Sequence, residues 1–528
     1  MKMTKISKIA WKYVLSIILF LCVFNGLPKY SKAASNTLQD NTFIYEIKND
    51  NTLIIKGLSI GEDEKRIYRT ITIPNTYNGR KITEIANNAL KPNGQRSYAY
   101  IKLNEHMKRI GDNNFENSHV EMPKSTMRIE TIGKNAFKNA EITTPRNSSL
   151  TFQNVKRIGT SAFEYAQFEN GGRLVFNMAK NSTMGAKTFK NVSFNRNTDH
   201  VTFNGFVQIL PQQFMENIKF IPAIRFDSDI KYIRKNAFHN VNLKNAAGDI
   251  VEITFKTVKQ IDSYAFNNAN IGALHFDTIG RMKTRSYYKS DFGFFNVHKS
   301  IGRLDTEAFY HPTLLDHATL NFLGHTSVAA QSLIIKGLKS NGENAIVLNP
   351  EPGRTAFRLN LEYSNVNKQI IAKNTKKYNS ALQVSVFNST VKKYAYNHLY
   401  LQFLDVAGKS VVHPYAFNYN TLERITISDG NILRPSHKNQ PTFMKYAMRN
   451  MKFYTDSQDT TINLLQVRYA DAYSFDFKNE KSYMIGNNVK NIHPKAFGTT
   501  KTRKQLDVLK PYYTQTKKKF PKYTIKTY

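Results

Sequence analysis

The stretch Ile132-Gly133-Lys134-Asn135-Ala136-Phe137 decides the fold of this chain, because copies of its pattern recur along most of the sequence. In the clear copies Ile or Leu lies four or five residues before an Ala-Phe pair, and these pairs are Ala162-Phe163, Ala237-Phe238, Ala265-Phe266, Ala308-Phe309 and Ala496-Phe497. Weaker copies end at Leu90, Phe115, Phe189, Phe214, Leu333, Phe357, Leu382, Phe417, Met448 and Tyr473. From Leu90 to Phe266, successive copies are 22 to 28 residues apart. So regular a period predicts a solenoid, in which each repeat is one structural unit stacked on its neighbours.

Short stretches of alternating apolar residues lie between these copies. They are Leu174-Val175-Phe176, Val201-Thr202-Phe203, Ile224-Arg225-Phe226, Ile253-Thr254-Phe255, Leu274-His275-Phe276, Leu320-Asn321-Phe322, Val384-Ser385-Val386 and Ile425-Thr426-Ile427. Alternation of β-branched and aromatic residues with polar ones predicts a short strand that has one buried face. Strands this short need neighbours, so we expect them to stack into a parallel sheet.

The repeats therefore predict a β-rich repeat solenoid with short parallel strands and an irregular or short-helical convex side. We assign residues 1–33 to a signal peptide and residues 34–80 to an N-terminal β-hairpin cap. About 16–17 repeats fill residues 81–500, and residues 501–528 form a basic, aromatic C-terminal tail.

The repeated Phe side chains are the expected core. We predict that Phe137, Phe163, Phe238 and Phe266 lie in one buried column, with the small Ala allowing adjacent coils to approach closely. Asn follows the repeat Phe by two residues at Asn117, Asn139, Asn191, Asn240 and Asn268. Such an Asn either bonds backbone groups at a turn or is a solvated turn residue.

The first repeat carries a family resemblance. The string Ile71-Thr72-Ile73-Pro74, followed by residues 79–85 and Ala89-Leu90, resembles the opening of BspA-type leucine-rich repeat proteins. The segment from Phe43 to Ile55, with a turn at Asn49-Asp50-Asn51, resembles the β-hairpin that commonly caps such arrays. The resemblance spans roughly residues 41–500 and implies a leucine-rich repeat solenoid of the α/β type.

What the resemblance implies about function is broad. Members of the family are surface or secreted proteins of host-associated bacteria, and some are adhesins toward host matrix or other cells. This chain departs from the pattern, because it mostly lacks Ile-Pro after the first repeat and has long Asn- and Lys-rich segments between repeats. A ligand therefore cannot be carried over from the family.

The N-terminal residues have the order of a secretory signal peptide. Four lysines precede an apolar run from Val14 to Phe24, which ends at Asn25-Gly26-Leu27-Pro28 before the small pair Ala33-Ala34. We expect cleavage before Ala34, which would also remove Cys22, the only cysteine of the chain. A secreted or extracellular protein, free or associated with the cell surface, is the predicted product.

Charge is the second global feature. The full chain has a formal net charge of +36 at pH 7, and loss of residues 1–33, which carry six lysines and no acidic residue, leaves about +30. A body this basic is attracted to polyanions.

Common catalytic patterns are missing from the sequence. It contains no His-Glu-x-x-His, no Gly-x-Ser-x-Gly and no phosphate-binding Gly-rich loop. We interpret His275, His413 and His493 as solvated or structural, and Asp227 and Asp229 as the start of a turn. We therefore expect no enzyme, no cofactor and no metal site, while an extracellular hydrolase with an unrecognised site stays open.

Outward strand positions are the best candidates for ligand contact, since a solenoid repeats them along one surface. We select Arg225, Thr254, His275, Asn321, Tyr400 and Thr426. In the C-terminal region, basic residues alternate with aromatic ones, and Lys517, Lys518 and Lys519 are candidates for binding a polyanion.

The predicted function is binding or adhesion, with a protein or glycan on a host or bacterial surface as the partner. The first alternative is a nonspecific binder of extracellular anionic polymers, either glycan or nucleic acid. After the signal peptide, no segment has the length and apolarity of an integral membrane helix.

Overall fold

The protein is described by a computed structural model over most of its length. The described residues are 36–59, 70–91, 100–145, 148–169, 171–195, 197–219, 223–243, 251–310, 313–314, 332–347, 357–372, 382–428, 440–453, 461–478, 482–498 and 505–528. Within them the chain forms a solenoid of about 15 turns with almost no helix. The prediction of a β-rich leucine-rich repeat solenoid is confirmed. The signal peptide predicted for residues 1–33 lies outside the described residues.

One large sheet runs along the solenoid. Its strands after the N-terminal hairpins pair in parallel, because each strand meets the equivalent strand of the next turn. These strands are Arg109–Ile110, Thr126–Met127, Thr131–Ile132, Leu150–Ile158, Gly172–Met184, Thr198–Gly205, Ile209–Leu210, Ala223–Phe226, Ile230–Ile233, Asn242–Leu243, Glu252–Ile261, Asn270–Met282, Asp291–Leu304, Thr313–Leu314, Ser332–Lys336, Ser340–Asn341, Phe357–Glu362, Leu382–Phe387, Tyr400–Ala407, Thr421–Ser428 and Lys452–Phe453.

Smaller parallel sheets form the other sides of the turns. One contains Thr70–Thr72, Tyr100–Lys102, His119–Glu121, Glu141–Thr143, Gln167–Phe168 and Ser193–Phe194. A second contains Phe266–Asn267, Tyr287–Tyr288, Phe309–Tyr310 and Ile346–Val347, and a third contains Asn365–Val366, Thr390–Val391, Val411–Val412, Thr442–Phe443 and Tyr469–Ala470. The last contains Thr461–Asn463, Ser482–Ile485, Gln505–Val508 and Thr524–Thr527.

Antiparallel hairpins begin the solenoid. Thr37–Gln39, Phe43–Ile47 and Leu53–Leu58 pair in antiparallel order, and Thr76–Tyr77 forms a second hairpin with Arg80–Ile85. Leu53–Leu58 then pairs in parallel with Arg80–Ile85, which starts the stacking of turns. The hairpin therefore covers the first edge of the sheet, an edge that would otherwise offer unpaired backbone groups.

Two columns of aromatic rings fill the core. Phe115, Phe137, Phe163 and Phe189 lie in the first column, with neighbouring ring centroids 5.2 Å apart. This column continues through Phe214, Phe238, Phe266, Tyr287 and Phe309. The four Phe residues predicted for one column are all fully buried in it.

The second column comes from the strands and was not predicted as a stack. It contains Phe152, Phe176, Phe203, Phe226, Phe255, Phe276 and Phe295, with centroids 4.8 to 5.3 Å apart. The spacing of both columns matches the separation of about 4.8 Å between paired strands. Offset stacking of this kind adds about 0.5–1.5 kcal/mol per pair to the free energy of burial.

Turns join the sheets through residues in the left-handed backbone conformation. The Asn residues at 117, 139, 191, 240 and 268 have φ between 49° and 58°, a region that Asn tolerates better than most residues. Their side chains bond each other across turns, as in Asn139 Nδ2 donating to Asn117 Oδ1 at 2.7 Å. Asn240 donates likewise to Asn217 at 2.9 Å. At Asn139 and Asn240 the side chain therefore bonds the Asn of the preceding turn, which is neither of the two alternatives that the sequence left open.

Four of the weaker repeat copies were assigned to the wrong part of the turn. Tyr473 was predicted at the repeat Phe position, but the fully buried Phe475 occupies it. Leu333, Phe357 and Leu382 lie in strands of the large sheet, Ser332–Lys336, Phe357–Glu362 and Leu382–Phe387. The Ala-Phe position of these turns is occupied by Ala345-Ile346 and Ile370-Ile371, where Ile346 bridges to Ile371. In these two turns aliphatic residues replace Phe, so the pattern could not be recognised from the sequence. In the turn after Leu382 the position is Ala395-Tyr396, with the Tyr396 ring 5.0 Å from that of Phe417.

The C-terminal residues fold onto the end of the solenoid, although we expected a tail. Asn487–Asn491 and Lys510–Tyr512 are short 3₁₀ helices, and Tyr513–Lys519 is an α-helix. Phe520 after the helix is 1% exposed, with its ring 5.6 Å from that of Phe497. Burial of this one Phe holds the basic segment as a last turn.

Candidate binding surface

On the outer face of the large sheet, successive strands contribute one register position each to a row that we call the strand row. Its members are register partners on successive strands, and buried neighbours on either side of them point into the core. The strand row is Val175, Thr202, Arg225, Thr254, His275, Asn296, Ile334, Asn360, Ser385, Asp405 and Thr426. Parallel stacking thus aligns residues from Val175 to Thr426 in one row along the solenoid.

Near its N-terminal end the strand row is basic. Arg225 is exposed and is the register partner of Thr202 and Thr254. His200, on the strand beside it, is partly buried, and burial followed by the charges of Arg173 and Arg225 lowers the pKa of its imidazole. His200 is therefore neutral at physiological pH, while the guanidinium of Arg225 remains available to an acidic ligand.

A polar cluster lies at the centre of the strand row. Thr254 Oγ1 donates a hydrogen bond to Glu252 Oε1 at 2.7 Å, and His275 Nε2 lies 3.9 Å from the same carboxylate oxygen. The His275 ring is 5.7 Å from the His298 ring and 5.6 Å from the Phe294 ring. Burial lowers the pKa of His275 despite the opposing charge of Glu252. This cluster can donate and accept hydrogen bonds beside an aromatic ring, as a macromolecular contact site requires.

The C-terminal end of the strand row contains a carboxylate in an unusual setting. Asp405 lies between Ser385 and Thr426, and burial raises the pKa of its carboxyl group to about 6. Its buried Oδ1 has no hydrogen-bond partner among the described residues. Because this oxygen is buried, a ligand at the surface does not reach it, and its missing hydrogen bond lowers the stability of the folded chain.

A second ordered surface lies at the turns of the C-terminal half. Tyr394, Tyr415, Tyr446 and Tyr473 occupy the same position of successive turns, and neighbouring ring centroids are 5.0 to 5.8 Å apart. We call these four residues the tyrosine ladder. Their rings are partly exposed, up to 40% for Tyr394, and their planes are within 30° of parallel.

Comparison with known families identifies the repeats. Residues 65–169, 146–249 and 182–316 match the family described as the BspA type leucine rich repeat region, in six copies. The chain carries BspA-type leucine-rich repeats. The resemblance inferred from the first repeat is thereby confirmed, and the same turn geometry continues beyond residue 316.

Other comparisons add little to the BspA-type assignment. A solved structure of a leucine rich cell surface protein from Faecalibacterium prausnitzii A2-165 is 14% identical, with 63% of this chain and 90% of that chain covered and a TM-score of 0.23. No curated protein matches the chain.

Two searches of the described residues bear on a site. No helix in them is both long and apolar enough to cross a membrane. Nor do three His, Cys, Asp or Glu side chains of these residues come together as they would around a metal ion.

The BspA-type solenoid places four predicted contact residues in one row. Arg225, Thr254, His275 and Thr426 all belong to the strand row. Asn321 lies outside the described residues, and the strand that follows the one containing Asn296 contributes Ile334 to the row.

Tyr400 is the predicted contact residue that lies elsewhere. It begins the strand Tyr400–Ala407, pairs with Thr421 and donates a hydrogen bond from its hydroxyl to Glu423 Oε1 at 2.8 Å. The row position of this strand is Asp405 instead. We placed Tyr400 in the row because we expected a shorter strand. The strand extends over eight residues, and its row position lies further along it.

The predicted polyanion residues lie together on the last helix. Lys517 and Lys518 are exposed, while Lys519 Nζ donates to the carbonyl of Lys490 at 2.6 Å, and burial lowers the pKa of the Lys519 amine. Two of the three lysines are thus available to a ligand, and the third fastens the last turn to the solenoid.

Sequence reasoning missed Asn296, Asp405 and the tyrosine ladder. Asn296 lies in Phe295-Asn296-Val297, an alternating stretch like those that predicted the other strands. Asn321, in Leu320-Asn321-Phe322, was predicted as the contact residue instead. The ladder has a clear signal, because Tyr directly precedes the small residue of the repeat at Tyr394-Ala395 and Tyr415-Ala416.

Proposed function

We propose that this protein is a secreted or surface-displayed adhesion protein, without enzymatic activity, whose strand row binds a macromolecule on a host or bacterial surface. The observation that carries the proposal is the unbroken register from Val175 to Thr426, which aligns polar side chains over many turns. The BspA-type repeats support a role at the cell surface.

The composition of the strand row favours recognition of a protein or glycan. Thr, Asn and Ser rungs supply neutral hydrogen-bonding groups, while Arg225, His275 and Asp405 are separated ionisable groups. Interfaces that combine neutral and ionisable groups select a ligand by its shape and hydrogen-bonding groups in addition to its charge.

The direct test is a binding assay with a row variant. The protein would be immobilised and exposed to a panel of purified matrix proteins and envelope polymers. For the ligand that binds, Arg225→Ala/Thr426→Ala should weaken affinity by about tenfold or more, because hot-spot truncations cost about 1–2 kcal/mol or more.

A matched control is available on another side of the turns. Arg157 and Thr183 are exposed register partners of the same residue types, so Arg157→Ala/Thr183→Ala removes the same groups away from the strand row. It should leave affinity within about twofold. Equal losses in both variants would exclude the strand row as the contact surface.

A nonspecific polyanion binder is the second candidate, and the net charge of +36 favours it. Charge alone predicts that affinity falls steeply and linearly on a logarithmic salt scale. A specific contact on the strand row predicts residual binding at about 0.5 M salt, where screening extends only about 4 Å. Loss of all binding at that salt concentration would favour the second candidate.

A further inference from the structure

The tyrosine ladder occupies a backbone conformation that disfavours tyrosine. Tyr394, Tyr415, Tyr446 and Tyr473 have φ of 58° to 60°, in the left-handed region. The same position holds Asn113 and Asn135 in N-terminal turns, with φ of 58° and 52°. Left-handed backbone costs a residue with a side chain about 1–2 kcal/mol, less for Asn. Other turns hold Ser161, Lys187 or Arg285 at this position, also with positive φ, so the conformation is common to the solenoid. What distinguishes the ladder is Tyr in four successive turns, with stacked and partly exposed rings.

Cations surround the ladder. Lys393 Nζ is 4.8 Å from the ring centroid of Tyr394 and 5.5 Å from that of Tyr415, and Lys445 Nζ is 5.0 Å from that of Tyr446. Neither lysine forms an ion pair with a carboxylate of the described residues. Both can therefore contact an anionic ligand directly.

The charge of these turns differs from that of the N-terminal turns. Residues 392–398, 413–419, 444–450 and 471–478 contain five Lys or Arg and two Asp. The five N-terminal turns at 112–117, 134–139, 160–165, 186–191 and 212–217 contain four Lys and four acidic residues. There the charges pair across turns, as in Lys138 and Glu116 at 3.4 Å. The ladder turns thus carry more positive charge in sum than these five N-terminal turns do.

Stacking restricts what the ladder can recognise. The inner rings cover each other, so bases of a nucleic acid would find few open ring faces to stack on. Ring edges and hydroxyls remain accessible, and none of the four hydroxyls donates a hydrogen bond to another described residue. The ring centroids are 5.0 to 5.8 Å apart, so the four hydroxyls follow one another along the turns, and the ammonium groups of Lys393 and Lys445 lie beside two of the rings. This arrangement suits an extended polymer that carries anionic groups and hydroxyls.

We propose that the tyrosine ladder and its lysines form a binding site for an acidic polysaccharide. The ammonium groups pair with its carboxylates or sulfates, and the phenol hydroxyls donate hydrogen bonds to the same groups and to sugar hydroxyls. The site is separate from the strand row and deepens the anionic-polymer candidate by naming its place and its ligand class.

The test measures binding of the full secreted chain to four probes. Polygalacturonate supplies carboxylates, dextran sulfate supplies sulfates, dextran is the neutral control, and single-stranded oligo-dT represents nucleic acid. We expect binding to at least one acidic polysaccharide and none to dextran. The two acidic probes distinguish carboxylate from sulfate recognition.

Two variants of the ladder separate recognition from folding. Replacing all four ladder Tyr by Asn installs the residue that other turns use in the same conformation, and should lower affinity at least tenfold with little change in melting temperature. Lys393→Gln/Lys445→Gln changes only surface charge and should lower affinity at least fivefold. Lys134→Gln/Lys235→Gln removes the same charge from exposed lysines that precede Asn instead of Tyr at the equivalent position of other turns, and should change affinity less than twofold.

Several outcomes would overturn the proposal. They are equal losses in the two lysine variants, no binding to either acidic polysaccharide, or tighter binding of oligo-dT that depends on the ladder. The strand-row variant Arg225→Ala/Thr426→Ala should keep its polysaccharide affinity, so failure of the ladder and failure of the strand row are distinguishable.

Discussion

At the scale of single residues, Asp405 is the most unusual member of the strand row. Its carboxyl group lies on the outer side of the sheet, yet it is shielded enough from water to raise its pKa to about 6. A raised pKa means that the folded protein binds this proton more tightly than the unfolded chain does. Stability from this residue is therefore present at low pH and lost as the pH rises through about 6.

Asp405→Asn should remove this pH dependence. We expect the variant to gain melting temperature relative to the natural protein at pH 7.5, where Asp405 is ionised in both states, and to gain less or nothing at pH 4, where its carboxyl group is protonated in the folded protein. Thermal unfolding at the two pH values measures the difference. Thr151→Asn, on the same outer side of the sheet, carries no ionisable group and should differ from the natural protein by the same amount at both. An equal gain for Asp405→Asn at pH 4 would contradict the prediction.

Residue identity predicted the core better than the surface. The Ala-Phe pattern correctly predicted that Phe137 and Phe163 are buried, because large apolar side chains that recur in every repeat are usually found in the core. The role of Asn139 was harder to predict, since a left-handed backbone and a hydrogen bond to the preceding turn both depend on how turns stack. The sequence of a single repeat does not show how neighbouring turns stack on each other.

At the scale of the turn, close approach of adjacent coils depends on glycine. Gly111, Gly133, Gly159 and Gly185 occupy the same position in successive turns. A Cβ atom on any of them would fall less than 3 Å from backbone atoms of the preceding turn. Backbone cannot move aside as a flexible side chain can, so these turns would have to separate.

Gly159→Ala should destabilise the solenoid by about 1–3 kcal/mol, the usual range for overpacking. The added methyl would collide with backbone atoms of Lys134 and Gly133. Gly57→Ala is the matched control, because a Cβ there meets nothing within 4 Å. Urea titration of both variants measures the change in the free energy of unfolding. Similar values for the two would show that the tight contact relaxes at little cost.

The register of the strand row was only partly predictable. Alternation within Ile224-Arg225-Phe226 fixed which residue points outward, since successive side chains of a strand alternate between faces. Which strand follows which depends on the lengths of the intervening loops, and these vary most between residues 296 and 332. Asn321 was therefore chosen where the sheet uses Ile334, and Tyr400 was chosen where it uses Asp405.

At the scale of the whole molecule, stability is distributed along the axis of the solenoid. Each turn contacts the turns before and after it, so the energy of the solenoid is close to a sum of turn and interface contributions. Phe163, for example, has rings of Phe137 and Phe189 on either side at 5.2 Å. The hairpin at the N-terminus and the last turn around Phe520 protect the two ends.

Because each turn is stabilised mainly by its neighbours, a core substitution should destabilise one region of the chain more than the rest. Phe163→Ala should cost about 3–5 kcal/mol, because it leaves a cavity inside the aromatic column. The loss should be concentrated in the turns from Phe137 to Phe189 and should fade toward the C-terminus. Hydrogen exchange measured by mass spectrometry would show faster exchange there, with residues 440–498 nearly unchanged. Phe443→Ala, at a fully buried Phe of that C-terminal region, should give the reverse pattern. A uniform increase along the chain in both variants would mean that the solenoid unfolds as one cooperative body, contrary to nearest-neighbour stacking.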